Sequence, residues 1–152
     1  MKFSIAIATG VMMMTSAASA QSTLAAVEHI GAPELNGQRL PFSNAVRVGD
    51  TVYLSGALGI GPDGKLPAGI EPQAKQTMDN IGVTLTSAGL GWGDVVKCTV
   101  ILDNMSDWPV FNQVYVTYFP DGKFPARSAF GADGLALGAL VEVECIAYAG
   151  QR

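Results

Sequence analysis

The chain is short of the residues most often recruited for chemistry. Its 152 residues include one histidine, His29, and two cysteines, Cys98 and Cys145. No Cys-x-x-Cys spacing occurs and His29 stands alone, which leaves no basis for a His/Cys metal site. His29 lies in a polar stretch without an evident acid partner, so it reads as a solvated residue and removes an ordinary Ser-His-Asp triad. Charged residues make up only 14% of the chain, and no like-charge run, low-complexity tract or internal repeat is present. Basic residues are the minority, 9 against 13 acidic. A chain so balanced, without a basic aromatic face, is poorly equipped to neutralise phosphates, so no nucleic-acid partner is expected.

Long apolar runs are also missing. The N-terminus carries Lys2, an apolar stretch over about residues 5–14, and an Ala18-Ser19-Ala20 end. That pattern reads as a secretory signal peptide over 1–20, cleaved after Ala20, with an apolar part too short to span a bilayer. A retained membrane anchor is the competing reading, and the small-residue cleavage site argues against it. Cleavage removes Lys2, takes the net charge from −4 to −5, and leaves 132 residues for one core. The mature protein is then expected to be exported, periplasmic or secreted, with no membrane partner. Residues 21–37 are polar and aperiodic and read as a flexible leader. Residues 38–152 read as a single domain. Cys98 and Cys145 both sit in apolar strand patterns, where cysteine behaves as a small hydrophobe. Two buried free thiols are favoured, and a disulfide stays open because pairing depends on geometry.

What is present is a set of clear periodicities. Residues 44–48 and 51–56 alternate about Gly49-Asp50 and read as a hairpin. Residues 59–65 fit G-x-x-x-x-G-K, but Leu66 stands where a magnesium-binding hydroxyl is needed, and Pro67 and Gly69 deny the loop a helix start. The phosphate loop is rejected in favour of a Pro62-Asp63-Gly64 turn. Ala74, Met78, Ile81, Leu85 and Ala88 form a helical stripe over 71–88, closed by Gly89. Residues 94–102 read as a strand with Val96, Cys98, Val100 and Leu102 on one side. A second helix, capped by Ser106 or Asp107, carries Trp108, Phe111, Val114, Tyr115 and Tyr118 on its apolar face, with Asn112 beside them. That aromatic stripe reads as core. Two helices among four to six strands imply an α+β fold, a mixed sheet with both helices on one face. The uncovered face is most simply hidden by other copies of the chain.

The stretch 124–147 holds the chemistry. Arg127 stands in an otherwise uncharged run, and fifteen residues later a strand carries Glu142 and Glu144 two positions apart. An arginine in apolar company usually meets something planar and anionic, because its rigid fork matches a carboxylate. The partner is either an internal carboxylate, Glu142 or Glu144, or a ligand. Glu142 and Glu144 share a strand face and read equally well as a solvated surface. Ser55 and Ser128 have no base nearby in sequence and are unlikely nucleophiles on chemical grounds.

Pro41-Phe42-Ser43, Val52-Tyr53-Leu54-Ser55-Gly56, Asp94-Val95-Val96-Lys97, Phe124-Pro125-Ala126-Arg127-Ser128 and Val141-Glu142-Val143-Glu144 follow the order and spacing of the RidA (YjgF) family. The resemblance runs from about Gln38 onward. It implies a chorismate-mutase-like α+β fold, a homotrimer with ligand clefts between subunits, and no metal or organic cofactor. It further implies hydrolysis of reactive enamines and imines, of the 2-aminoacrylate/2-iminopropanoate type, to a 2-keto acid and ammonia. Within that resemblance Arg127 grips the substrate carboxylate and Glu142 orients water or relays protons. Backbone near Gly56 and the side chain of Asn112 complete the cleft. Phe42 replaces the family tyrosine, Ala129 the cysteine two residues after the arginine, and Ala57 a frequent glutamine, which makes the pocket more apolar. The loop 131–138 is glycine-rich, with Asp133 its one charged residue. An exported, non-catalytic trimer that binds small carboxylates is the competing function. Ribonuclease or translation-inhibitor activity, attributed to some relatives, conflicts with the acidic balance.

Overall fold

The computed structural model describes residues 25–35 and 37–150. The expected signal peptide and the first residues of the leader lie outside the described residues.

The hairpin forms as the alternation predicts. Its strands are β4, Ala45–Val48, and β5, Thr51–Leu54, joined through Gly49 at φ 58°. Ala45, Val52 and Leu54 are buried, while Val46, Val48 and Tyr53 face the other way. The leader is not wholly flexible. Val27–Ile30 form β1, paired antiparallel with β4, which places His29 opposite Val46. Its polar composition hid it because an edge strand with one exposed face needs little apolar content. Two short strands, β2 (Glu34–Leu35) and β3 (Gln38–Arg39), pair beside it.

After β5 the chain bends at Ser55-Gly56, and β6, Ala57–Leu58, pairs further along the last strand. Helix α1, Ile70–Ser87, buries Ala74, Met78, Ile81 and Leu85 as expected. Gly89, at φ 73°, ends it, with the Leu90 amide donating to the Leu85 carbonyl. The last turn has no basic residue of its own. Arg47 on β4 reaches across and donates to the Ala88 carbonyl, setting a cation at the negative helix end. Gln73 is buried and fully used: its Nε2 donates to the Pro67 carbonyl at 2.9 Å and its Oε1 accepts from the Leu140 amide at 2.8 Å.

Strand β7, Val95–Leu102, contains an irregularity that periodicity could not show. Val95 pairs with Ala147 and Lys97 with Ile146, so Val96 bulges out and is 48% exposed. Val95, not Val96, joins Cys98, Val100 and Leu102 in the core. Helix α2, Trp108–Tyr115, follows a short turn in which the Asn104 side chain accepts from the Ser106 amide. Asp107 occupies the N-cap position of α2 as expected but makes no side-chain cap, and the side-chain cap lies one turn earlier at Asn104. Helix α2 carries the chain to β8, Ala126–Gly131, which runs parallel to β7. A parallel neighbour requires a crossover, and α2 supplies it. The last strand, β9, Val141–Tyr148, then inserts antiparallel between β5 and β7.

The result is α+β, with a seven-stranded sheet ordered β1-β4-β5-β9-β7-β8, β6 also pairing β9, and both helices on one face. Met78, Ile81, Leu85, Phe111 and Tyr115 meet Val52, Val100, Val141 and Val143 in the core. Among the described residues no helix is long and apolar enough to cross a membrane.

Cys98 and Cys145 are not free thiols. They face each other directly in the β7–β9 register, with Cα atoms 4.1 Å apart, and form a buried disulfide. Both strand patterns were legible; the register that brings the two residues opposite each other was not. The bond closes a 47-residue separation. Replacing both cysteines with alanine is expected to cost about 2–4 kcal/mol of unfolding free energy. Denaturant unfolding of the double variant beside wild type measures this, and two titratable thiols in unfolded, unreduced wild type would refute the bond.

Candidate active site

Arg127 is the second residue of β8 and lies beside Cys98 on β7, on the helix-covered face. Its guanidinium carbon sits 4.5 Å from the centre of the Trp108 ring and 4.4 Å from that of Tyr115. Both rings come from α2, two turns apart, on the stripe read from sequence as core. No described carboxylate pairs with Arg127, so the internal salt bridge to Glu142 or Glu144 does not form. Ala129 follows on the same face of β8 and packs against the core. Asn112 lies one turn before Tyr115. Its Oδ1 and the Tyr115 hydroxyl are both buried without a hydrogen-bond partner among the described residues. Burial pushes the Tyr115 phenol above its ordinary value, with Arg127 pulling the other way, so the ring stays neutral beside the cation.

Glu142 is on the other face of the sheet. Val141 and Val143 point into the core, and the pleat turns Glu142 and Glu144 outward. Glu142 stands between Leu58 on β6 and Ile101 on β7, its cross-strand partners. Burial pushes its carboxyl above the ordinary glutamate value, and the Glu144 charge adds to the rise. Gly56 stands against this acid: a Cβ there would overlap the Glu142 carboxylate. The absent side chain makes room for the acid. From Gly56 the site continues to Phe42, because the Ser55 hydroxyl donates to the Ser43 carbonyl at 2.7 Å. Phe42 is 48% exposed and lines a depression of about 590 Å³ with His29, Arg39, Ser43 and Ser55. His29 Nδ1 lies 3.2 Å from the Ser43 hydroxyl.

The residues singled out in sequence therefore gather in two groups. Arg127, Asn112 and Ala129 sit under the helices; Glu142, Gly56 and Phe42 sit on the outer face. A single chain does not bring Arg127 and Glu142 together. Sequence reading missed Trp108 and Tyr115 as neighbours of Arg127, since an aromatic helical stripe carries no sign of which strand residue it will meet. It also missed His29, Arg39 and Ser43 beside Phe42. Among the described residues no three His, Cys, Asp or Glu side chains cluster as a metal site.

Residues 36–149 match the family described as Endoribonuclease L-PSP. The chain belongs to the RidA (YjgF) family. A mouse relative, 2-iminobutanoate/2-iminopropanoate deaminase, is 44% identical over 112 residues, covering 72% of this chain and 82% of the relative. Reactive Intermediate Deaminase A, chloroplastic, from Arabidopsis thaliana is 38% identical over 70% of this chain and 58% of its own length. The crystal structure of RidA from an Antarctic Psychrobacter is 39% identical with a TM-score of 0.70, over 80% of this chain and 97% of that one. That of Escherichia coli TdcF with bound serine is 28% identical with a TM-score of 0.74, over 81% and 99%. This RidA-family chain thus shares its relatives' fold along the two groups of residues just described.

The raised Glu142 carboxyl has a measurable consequence. In a side-chain carboxyl NMR titration Glu142 is expected to ionise above 4.5, and Glu144→Gln to lower its midpoint only part way, because burial is the larger cause. The folded chain holds this proton more tightly than the unfolded chain. Stability is therefore lost as pH rises from about 4.5 through the folded value. Above that window Glu142→Gln is expected to raise the thermal midpoint, with the gain vanishing at lower pH. A variant no more stable than wild type at pH 8 would refute the burial cost.

Proposed function

We propose that this RidA-family protein hydrolyses small reactive enamines and imines that carry a carboxylate, of the 2-aminoacrylate/2-iminopropanoate type, to the 2-keto acid and ammonia. The observation that carries the reading is Arg127: a guanidinium held partly buried between two rings, with no described acid to neutralise it. Such a group is suited to an external planar anion.

In this mechanism Arg127 binds the substrate carboxylate and fixes the neighbouring imine carbon. An enamine first takes a proton at its terminal carbon to become the protonated imine. Water then adds to the electrophilic carbon of the protonated imine, forming a C–O bond while Glu142 accepts a water proton. Passing a proton to nitrogen lets the C–N bond break, ammonia leaves, and the remaining hydroxyl proton is lost as C=O forms. A carboxyl whose pKa is raised by burial above the ordinary glutamate value is better matched to this exchange than an ordinary surface glutamate. No step requires a metal or organic cofactor.

The opposite placement of Arg127 and Glu142 supports a site completed between copies, in a homotrimer with clefts between subunits. The outer sheet face is suitably apolar, with Val48, Tyr53 and Tyr148 exposed and Tyr53 at 50%. RNA cleavage is disfavoured by the 13 acidic residues against 9 basic ones. We also assign the protein to an exported compartment. The N-terminal pattern and a buried disulfide, which persists in oxidising surroundings, independently support that assignment. N-terminal sequencing of protein expressed with its leader is expected to begin at Gln21.

The deciding assay follows keto-acid and ammonia release from freshly generated 2-iminopropanoate and from a bulkier aromatic imino acid. Arg127→Ala is expected to lower kcat/KM about tenfold to a hundredfold, the worth of a charge-assisted contact. Glu142→Gln is expected to lose about 10²–10⁴-fold in turnover while still binding keto acid, and to lose the fall in rate on the acid side. Wild type no faster than the uncatalysed background would favour the non-catalytic carboxylate binder, a reading to which Phe42 and Ala129 lend their missing hydroxyl and thiol.

A further inference from the structure

The stacking of Arg127 goes beyond simple burial. Its guanidinium has one ring at 4.5 Å and another at 4.4 Å, and it makes no side-chain hydrogen bond or ion pair to a described residue. Nothing except the rings determines the plane of the group. The rings themselves are held. Trp108 stacks on Phe111 with centroids 6.1 Å apart and planes 18° apart, and Phe111 packs on Tyr115 at 5.7 Å. Phe119 then backs Tyr115 at 5.0 Å. Phe111, Tyr115 and Phe119 are almost wholly buried, so neither the Tyr115 ring nor the backing of Trp108 has room to turn. Guanidinium donors radiate in the plane of the group. Rings packed against the guanidinium carbon restrict how that plane can turn.

Resting on the deaminase reading of the same site, we propose that Trp108 and Tyr115 are positioning residues that orient the Arg127 fork, so that a planar carboxylate is received edge-on in one register. The two donors and two acceptors then define a plane, and the imine carbon attached to the carboxylate falls at one place relative to the water-activating acid. Holding the fork in advance removes the ordering cost that a long free side chain imposes on binding. The Tyr115 hydroxyl has no hydrogen-bond partner among the described residues, and the role is assigned to the ring.

The test uses full-length protein carrying Trp92→Phe. Trp92 packs on Tyr118 and Phe119 and makes no ring contact with Trp108 or Tyr115, and its replacement leaves Trp108 as the sole tryptophan of two. Pyruvate is titrated against Trp108 emission, and 2-iminopropanoate turnover is measured alongside. Pyruvate bound at Arg127 is expected to shift that emission. Tyr115→Phe, which keeps the ring, is expected to stay within about twofold of the parent. Trp108→Leu and Tyr115→Leu are expected to weaken pyruvate binding and raise KM by about tenfold, and to lower kcat as the imine carbon loses its fixed place. Should a leucine variant fail to fold, Trp108→Phe still decides: the weaker ring is expected to cost about threefold. Folded leucine variants, or failing them Trp108→Phe, that bind and turn over like the parent overturn the proposal, as does turnover with no change in Trp108 emission. No turnover in the parent, but pyruvate binding that shifts Trp108 emission and weakens in the leucine variants, overturns the deaminase reading and leaves the positioning role standing. A parent that neither binds pyruvate nor turns over the imine overturns both.

Discussion

The structure depends on the pleat of one central strand. Strand β9 pairs with β5, β6 and β7, so any slip in its register would disturb most of the sheet. Its alternation divides the protein's tasks. Val141, Val143, Cys145 and Ala147 bury against the helices, while Glu142, Glu144, Ile146 and Tyr148 face outward. A one-residue shift would put two carboxylates into the core and four core residues into solvent, which makes the observed register strongly preferred. The same pleat separates the acid from Arg127. Opposite-face placement is thus a consequence of how the core is built.

Two local devices refine that frame. The Cys98–Cys145 bond ties β9 to β7 in the middle of the sheet, and Cys98 is in turn the register neighbour of Arg127 on β8. Gly56, between β5 and β6, leaves space for the Glu142 carboxylate. In both cases a residue that looks modest in sequence sets the position of a charged group. The aromatic column of α2 acts similarly from the other face. It contributes core packing through Phe111 and Tyr115, and sets the Trp108 and Tyr115 rings against a cation.

Much of this was legible before any coordinates. The hairpin about Gly49-Asp50, the α1 stripe from Ala74 to Leu85 and the alternation of β9 are short-range patterns, and short-range patterns survive folding when the core enforces them. Three features were not legible for a shared reason. The β1 strand is recognisable only once β4 offers it a partner; the Val96 bulge exists only relative to β9; and the cysteine pair needs two strands forty-seven residues apart to align. Each is a property of registration between strands, and registration is set by long-range packing that no window of sequence contains.

By itself the sequence determined that Arg127 had no neighbouring charge along the chain, that Glu142 and Glu144 would share a face, and that the fold would be α+β, because these follow from composition and from periods of two and 3.6 residues. Only the tertiary structure decided that Arg127 would meet aromatic rings instead of Glu142, and that Cys98 would meet Cys145. Contacts between residues far apart in the chain are settled by which surfaces the core can bury together.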